Sequence, residues 1–298
     1  MARARLTRIL LISFGIASAP TSAVAQRPAN VGTVVVAHGG DSLWNSKVIE
    51  AAEAARTGGP VMVSFLMGPA AARTRFQDAV ATLERSGVRE IVVVPMLVSS
   101  RSGHYEQIRW LAGESVVLDD QMQHHLHMAG IERPTSRIPL RVARALDDAP
   151  ELARVLADRG RAFAAALGVD PASRALLLVG HGPNSAEDNA AWMTALRSVA
   201  DSVRASTGFR DVRVDLVRDD APAAVRAEAV QHVRELIALQ SAMTGADVLV
   251  VPVLIATGSV SRDKLPADLR GTPHRYLAEP LLPHPALVRW IERSALAR

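Results

Sequence analysis

Thr33-Val34-Val35-Val36-Ala37-His38-Gly39 returns as Leu176-Leu177-Leu178-Val179-Gly180-His181-Gly182, at an offset of 143 positions. Glu90-Ile91-Val92-Val93-Val94-Pro95-Met96-Leu97 returns as Asp247-Val248-Leu249-Val250-Val251-Pro252-Val253-Leu254, at an offset of 157. A third match sets Ala145-Leu146-Asp147-Asp148-Ala149-Pro150-Glu151-Leu152 against Pro280-Leu281-Leu282-Pro283-His284-Pro285-Ala286-Leu287, at 135. Small loop insertions explain the growing offset. The later drop of 22 places an extra segment in the first half, around residues 113–137. The chain therefore reads as two copies of one unit, a first lobe over 26–168 and a second over 174–298.

Within each copy, short β-branched runs alternate with helical stretches. In the first copy strands are expected at 33–37, 61–66, 90–96 and 138–143. Helices are expected at 43–57, 70–86, 104–112 and 150–166. The strands are continuous apolar runs, as in a parallel sheet covered on both faces. Strand–helix–strand order with right-handed crossovers gives a doubly wound α/β fold. The expected architecture is two tandem flavodoxin-like lobes with mainly parallel sheets and a cleft between them.

Composition narrows the chemistry. Cysteine is absent from the 298 residues, so metal chemistry falls to His, Met and carboxylates. The N-terminus carries Arg3, Arg5 and Arg8, an apolar run over Ile9–Ala17, and Ala23-Val24-Ala25 before Gln26. This is the pattern of a signal peptide over residues 1–25, cleaved after Ala25. The mature protein is then periplasmic or secreted, with no membrane anchor. Removing those three arginines from a net charge of +4 leaves +1, which argues against a nucleic-acid partner. No P-loop, dinucleotide fingerprint or nucleophile elbow is present, so no nucleotide is expected. Oligomeric state is not legible.

Histidine carries the chemistry. His38 ends the first strand and His104 follows the third. In flavodoxin-like order ligands bind at the crevice between strands one and three. Two histidines 66 positions apart in the sequence thus face one crevice. They could act as loop hydrogen-bonding residues or as a metal or acid–base site.

The Ala-His-Gly strand end, the Val-Val-Pro-Met-Leu strand and the Gly-His after it resemble the class II tetrapyrrole chelatases. The sirohydrochlorin cobaltochelatase (CbiX/SirB-like) group, in its two-copy long form, is the most similar. Leu281-Leu282-Pro283-His284-Pro285-Ala286-Leu287-Val288 resembles that family's closing strand–helix junction. The resemblance implies ATP-independent insertion of Co2+, or of Ni2+ or Fe2+, into a sirohydrochlorin-type tetrapyrrole, with the metal as substrate. It also implies His38 and His104 as catalytic residues and metal ligands. A neutral imidazole is needed for either role, so metal affinity is expected to fall below pH ~6.5. A carboxylate-rich macrocycle would suit cationic residues at the rim. Arg101, and Arg262 and Lys264 in the second copy, are the candidates.

Departures from the family pattern set further expectations. The resemblance implies a Glu that family members often place at the end of the second strand, where this chain has Met67 and the second copy Arg218. Ser261 aligns with His104, which leaves His181 alone and the second copy without a metal site. The alternative to an enzyme is a periplasmic carrier that binds metal or tetrapyrrole without catalysis. The extra segment holds Met122-Gln123-His124-His125-Leu126-His127-Met128. His124 and His127 share a helical face and are candidate ligands from a lid over the cleft. Asp119-Asp120 and Asp219-Asp220 read as solvated turns, with carboxylate donors as the alternative. Trp44, Trp110, Trp192 and Trp290 read as packing against the sheets, with Trp44 close enough to His38 to line the cleft.

Overall fold

The computed structural model describes residues 30–297. The signal segment expected over 1–25 lies outside the described residues. The chain forms two four-stranded, all-parallel sheets with helices on their faces. The first sheet has β1 (Val31–Ala37), β2 (Val61–Phe65), β3 (Glu90–Met96) and β4 (Leu140–Val142), in the order β2-β1-β3-β4. The second has β5 (Ala175–Gly180), β6 (Asp211–Leu216), β7 (Val248–Val253) and β8 (His274–Tyr276), in the order β6-β5-β7-β8. Chain order reverses between β1 and β3, and again between β5 and β7, so each sheet has its switch point there.

The apolar runs are continuous because both faces of each strand are covered. Val34 and Val36 of β1 face an outer core, while Val35 and Ala37 face an inner one. The outer core of the first sheet is closed by α2 (Phe76–Arg85), α3 (Gly103–Leu111) and α4 (Asp120–Met128). The outer core of the second sheet is closed by α7 (Ala223–Thr244) and α8 (Leu265–Asp268).

Between the sheets lies one shared core. It takes α1 (Ser42–Ala54), α5 (Pro150–Ala166), α6 (Ala186–Thr207) and α9 (Pro285–Leu296). The last helix of each half crosses over. Helix α5 packs on β7 and α6 of the second sheet, while α9 packs on β3 and α1 of the first. Trp290 of α9 is 1% exposed in this core, together with Val92 and Val94 of the first sheet and Leu249 of the second. The repeat unit in sequence and the packing unit in space therefore differ by one exchanged helix. Among the described residues no helix is long and apolar enough to cross a membrane.

Two elements are much shorter than their sequence patterns predict. The helix expected over 70–86 is a 3-10 turn at Ala71–Arg73 followed by α2. Thr74 breaks it, because its hydroxyl donates to Ala70 O and accepts from Phe65 N–H at the end of β2. The fourth strand keeps only the three residues after Pro139, which has no N–H to give the ladder.

The loop hydrogen bonds fix how the copies correspond. Leu146 N–H donates to Leu97 O and Asp147 N–H to Val98 O; Leu281 N–H donates to Leu254 O and Leu282 N–H to Ile255 O. Helix α4 and its flanking loops fill the first-half interval that has no counterpart in the second.

Candidate active site

His38 leaves β1 into a turn that glycine alone fits. Gly39 has φ +95°, and a Cβ there would lie 2.2 Å from Met67 O. That crowding arises because Met67 N–H donates to His38 O, carrying the β1–β2 pairing one step past the sheet. His104 sits in the first turn of α3, whose N-cap Ser102 accepts from Tyr105 N–H. With β1 beside β3, the two imidazoles meet. Their centroids lie 4.6 Å apart with the rings nearly perpendicular, at 81°.

Each ring has a defined tautomer. His38 Nδ1 is 2.7 Å from Gly39 O, and a carbonyl can only accept, so Nδ1 carries the proton. Gln107 Nε2 donates to Met122 O, so its Oε1 faces His104 Nδ1 at 2.8 Å and accepts from it. Both Nε2 atoms therefore keep their lone pairs. Burial disfavours protonation of both rings. The His38 pKa is lowered, chiefly by desolvation, with the charges of His181 and His125 adding and the Gly39 carbonyl opposing. His104 is lowered to about 4 by desolvation and by His38. The expected loss of metal affinity below pH ~6.5 is thereby corrected, because that value belongs to solvated imidazole.

The second copy contributes a different pair. His181 Nδ1 donates to Gly182 O, and its Nε2 lies 3.2 Å from Asp220 Oδ2 and 3.9 Å from Asp219 Oδ2. Desolvation opposes charge on His181, but the hydrogen bond and charge of Asp220 outweigh it and raise its pKa. The same bond holds Asp220 down to about 2. Asp219 is buried and bonded to Lys264, 2.6 Å, and Arg226, 3.0 Å. Of the pair expected as a solvated turn, Asp220 is exposed as expected, while Asp219 is folded under the loop by its two cations. Among the described residues, His181, Asp219 and Asp220 form the one cluster whose donor atoms all lie within 4.8 Å of one another.

The two strand ends face each other across one cleft. The charges of His181 and Asp220 act on His38, and that of Asp220 on His104. Arg101, from the loop after β3, bonds Glu187 and Asp188 at the start of α6. Arg262, in the π-helical turn Val260–Lys264 that follows β7, bonds Asp41 at the start of α1. The three rim candidates Arg101, Arg262 and Lys264 are thus each paired with a protein carboxylate here. Trp44 lies between Phe65 and Gly258, where the lobes touch. Trp192 donates its indole N–H to Arg101 O, while Trp110 stacks under Arg133.

Residues 32–162 match the CbiX family model. That span is the first lobe, which is similar to the CbiX family. No curated protein sequence matches the chain. Among solved structures, SirB from Bacillus subtilis with Fe3+ is similar at a TM-score of 0.60 and 14% identity, covering 89% of this chain and 94% of that one. The sirohydrochlorin chelatase SirB from Bacillus subtilis subspecies spizizenii, in complex with cobalt, gives 0.54 and 14%, covering 89% and 95%. CbiX, the terminal enzyme of sirohaem biosynthesis in denitrifying bacteria, gives 0.52 and 17%, covering 89% and 97%. The resemblance to class II chelatases read from the sequence holds, and with it the tandem α/β fold.

The matched span holds both histidines, and Met67 stands where the resemblance read from the sequence implies a Glu. The second lobe corrects the alignment at Arg218. Leu66 N–H donates to Ala37 O and Met67 N–H to His38 O; Val217 N–H donates to Gly180 O, but it is Asp219 N–H that donates to His181 O. Arg218, at φ +50°, is an inserted residue that loops out, so Asp219 takes the position of Met67. A carboxylate expected to be absent from both copies is therefore present in the second lobe. Sequence alignment missed it because a one-residue bulge leaves no mark in residue types.

The insertion also differs from expectation. His124 and His127 lie on the exposed side of α4. His127 lines a surface pocket with Trp110 and Arg133 instead of the cleft. The helix is phased by Leu126, which is buried in the outer core, and that phase turns His125 inward.

Proposed function

We propose that this chain inserts a divalent metal ion into a sirohydrochlorin-type tetrapyrrole without nucleotide. The observation that carries the reading is the His38–His104 pair in a CbiX-like lobe, with both Nε2 lone pairs free and both rings kept neutral by burial. Neutral imidazoles suit Co2+, Ni2+ and Fe2+ and hold them without the charge of a thiolate. Two imidazoles leave coordination positions open for pyrrole nitrogens.

Insertion releases two pyrrole protons as two metal–nitrogen bonds replace two N–H bonds. His181 stands on the opposite lobe, with a pKa raised by Asp220, so it can accept one of them and share it with that carboxylate, while the other passes to solvent water. The lobes divide the labour: the first presents metal, the second takes protons. Tetrapyrrole carboxylates would compete with Asp41, Glu187 and Asp188 for Arg262 and Arg101 at the rim. Cobalt is the metal we propose, on the strength of the cobalt complex of SirB, with Ni2+ and Fe2+ as alternatives.

The test is incubation of purified protein with sirohydrochlorin and Co2+, followed by absorption against a protein-free blank. Insertion should exceed the blank and vanish in the His38→Ala His104→Ala double variant. Metal binding without insertion above the blank would make the protein a carrier. We further propose export through residues 1–25, which intact mass of the secreted protein checks by showing Gln26 as its first residue.

A further inference from the structure

Helix α4 belongs to the segment that the second copy lacks, and the residue that orients His104 also fastens it. Gln107 accepts from His104 with Oε1 and donates to Met122 O with Nε2, 2.7 Å away. Met122 seats so tightly on Gly103 that an added Cβ there would lie 2.8 Å from Met122 Sδ. One turn later Leu126 is 3% exposed, anchored in the outer core. His125 lies three residues after Met122, on the same side of the helix. Its Nδ1 is buried and has no hydrogen-bond partner among the described residues. Buried polar atoms are almost always partnered, and an orphan calls for an explanation. The imidazole is also near enough for its charge to act on both His38 and His104.

We infer that His125 is the third protein ligand of the metal ion received by His38 and His104, replacing the carboxylate that the first lobe lacks at Met67. The inference rests on the reading of that pair as the metal site. Three imidazoles form a donor set suited to Co2+, Ni2+ or Zn2+ that leaves room for an exogenous ligand. His125 stands back from the pair, since the three rings do not form a converged triad in the structure. Side-chain rotation brings it in, and no hydrogen bond at Nδ1 opposes that rotation. An ion docked on His38 and His104 would give the orphan nitrogen its partner. The ligand then comes from an element tied to His104 through Gln107, so the metal, α3 and α4 are ordered together.

The experiment uses Co2+ alone, with calorimetry and the visible absorption of the bound ion, on the whole mature chain. Variants are His104→Ala, His124→Ala, His125→Ala, His125→Gln and His127→Ala, with circular dichroism and melting as folding checks. Removing an outer-shell partner of a metal site costs about 10–100-fold in affinity, so removing a ligand should cost at least tenfold. His125→Ala and His125→Gln should both weaken binding by at least about that much and shift the cobalt spectrum. His124→Ala and His127→Ala should remain within about twofold of the unmodified protein. If His104→Ala loses affinity while both His125 variants retain it and the spectrum, the inference is overturned and the two-histidine site stands. If His104→Ala also binds normally, the site reading itself fails, and the inference with it.

Discussion

Lowering the pH from 7.5 to 4.5 tests whether burial has prepared the histidine pair for metal. Protons compete with the ion for each Nε2. Two imidazoles of ordinary pKa 6.5 would each be about 100-fold protonated at pH 4.5, and the apparent Co2+ affinity would fall about 10^4-fold. With its pKa at about 4, His104 costs a factor of only about 1.3 at that pH. His38 is also lowered, so its factor stays under about 100, and the total loss should stay below about 130-fold. Competition titration against a chelator of known pH response measures it, and NMR of the imidazole Cε1–H of His104 reads the titration directly.

The same burial has a stability consequence with a definite sign. His104 has its pKa lowered on folding, so its contribution is present above the unfolded value of 6.5 and is lost as pH falls toward about 4. The change is worth about 3 kcal/mol. A 10^4-fold loss of affinity, or a His104 resonance titrating near 6.5, would refute the account of a desolvated, metal-ready pair.

Gly39→Ala should be poorly tolerated, costing several kcal/mol or the fold itself, because φ is +95° and the Cβ would meet Met67 O at 2.2 Å; the melting temperature checks it. Trp290→Ala should destabilise by about 3–5 kcal/mol in denaturant unfolding, since the ring is buried in the core that both sheets share. Gln107→Leu should keep the apolar fit yet weaken Co2+ binding by about 10–100-fold, because His104 loses the acceptor that fixes its tautomer; an unchanged affinity would mean the ring is held by packing alone.

What the sequence determined by itself is the architecture and one half of the site. Continuous apolar runs such as Val34–Val36 and Leu176–Leu178 mark strands covered on both faces, and the two-copy offsets locate α4 as an addition. His38 and His104 were legible as neighbours because alternating strands and helices imply flavodoxin-like order, which sets strand one beside strand three at the switch point. Tertiary structure alone decided the rest. Asp219, not Arg218, stands at the carboxylate position because a residue at φ +50° loops out, and backbone conformation of that kind is not written in hydrophobic periodicity. His125 turns inward while His124 and His127 stay outside because Leu126 and Met122 set the phase of α4 against a neighbouring helix. The helices α5 and α9 change sheets because each half leaves one sheet face for the other to cover. The neutrality of the histidine pair is likewise a property of burial, which depends on what the distant parts of the chain place around it.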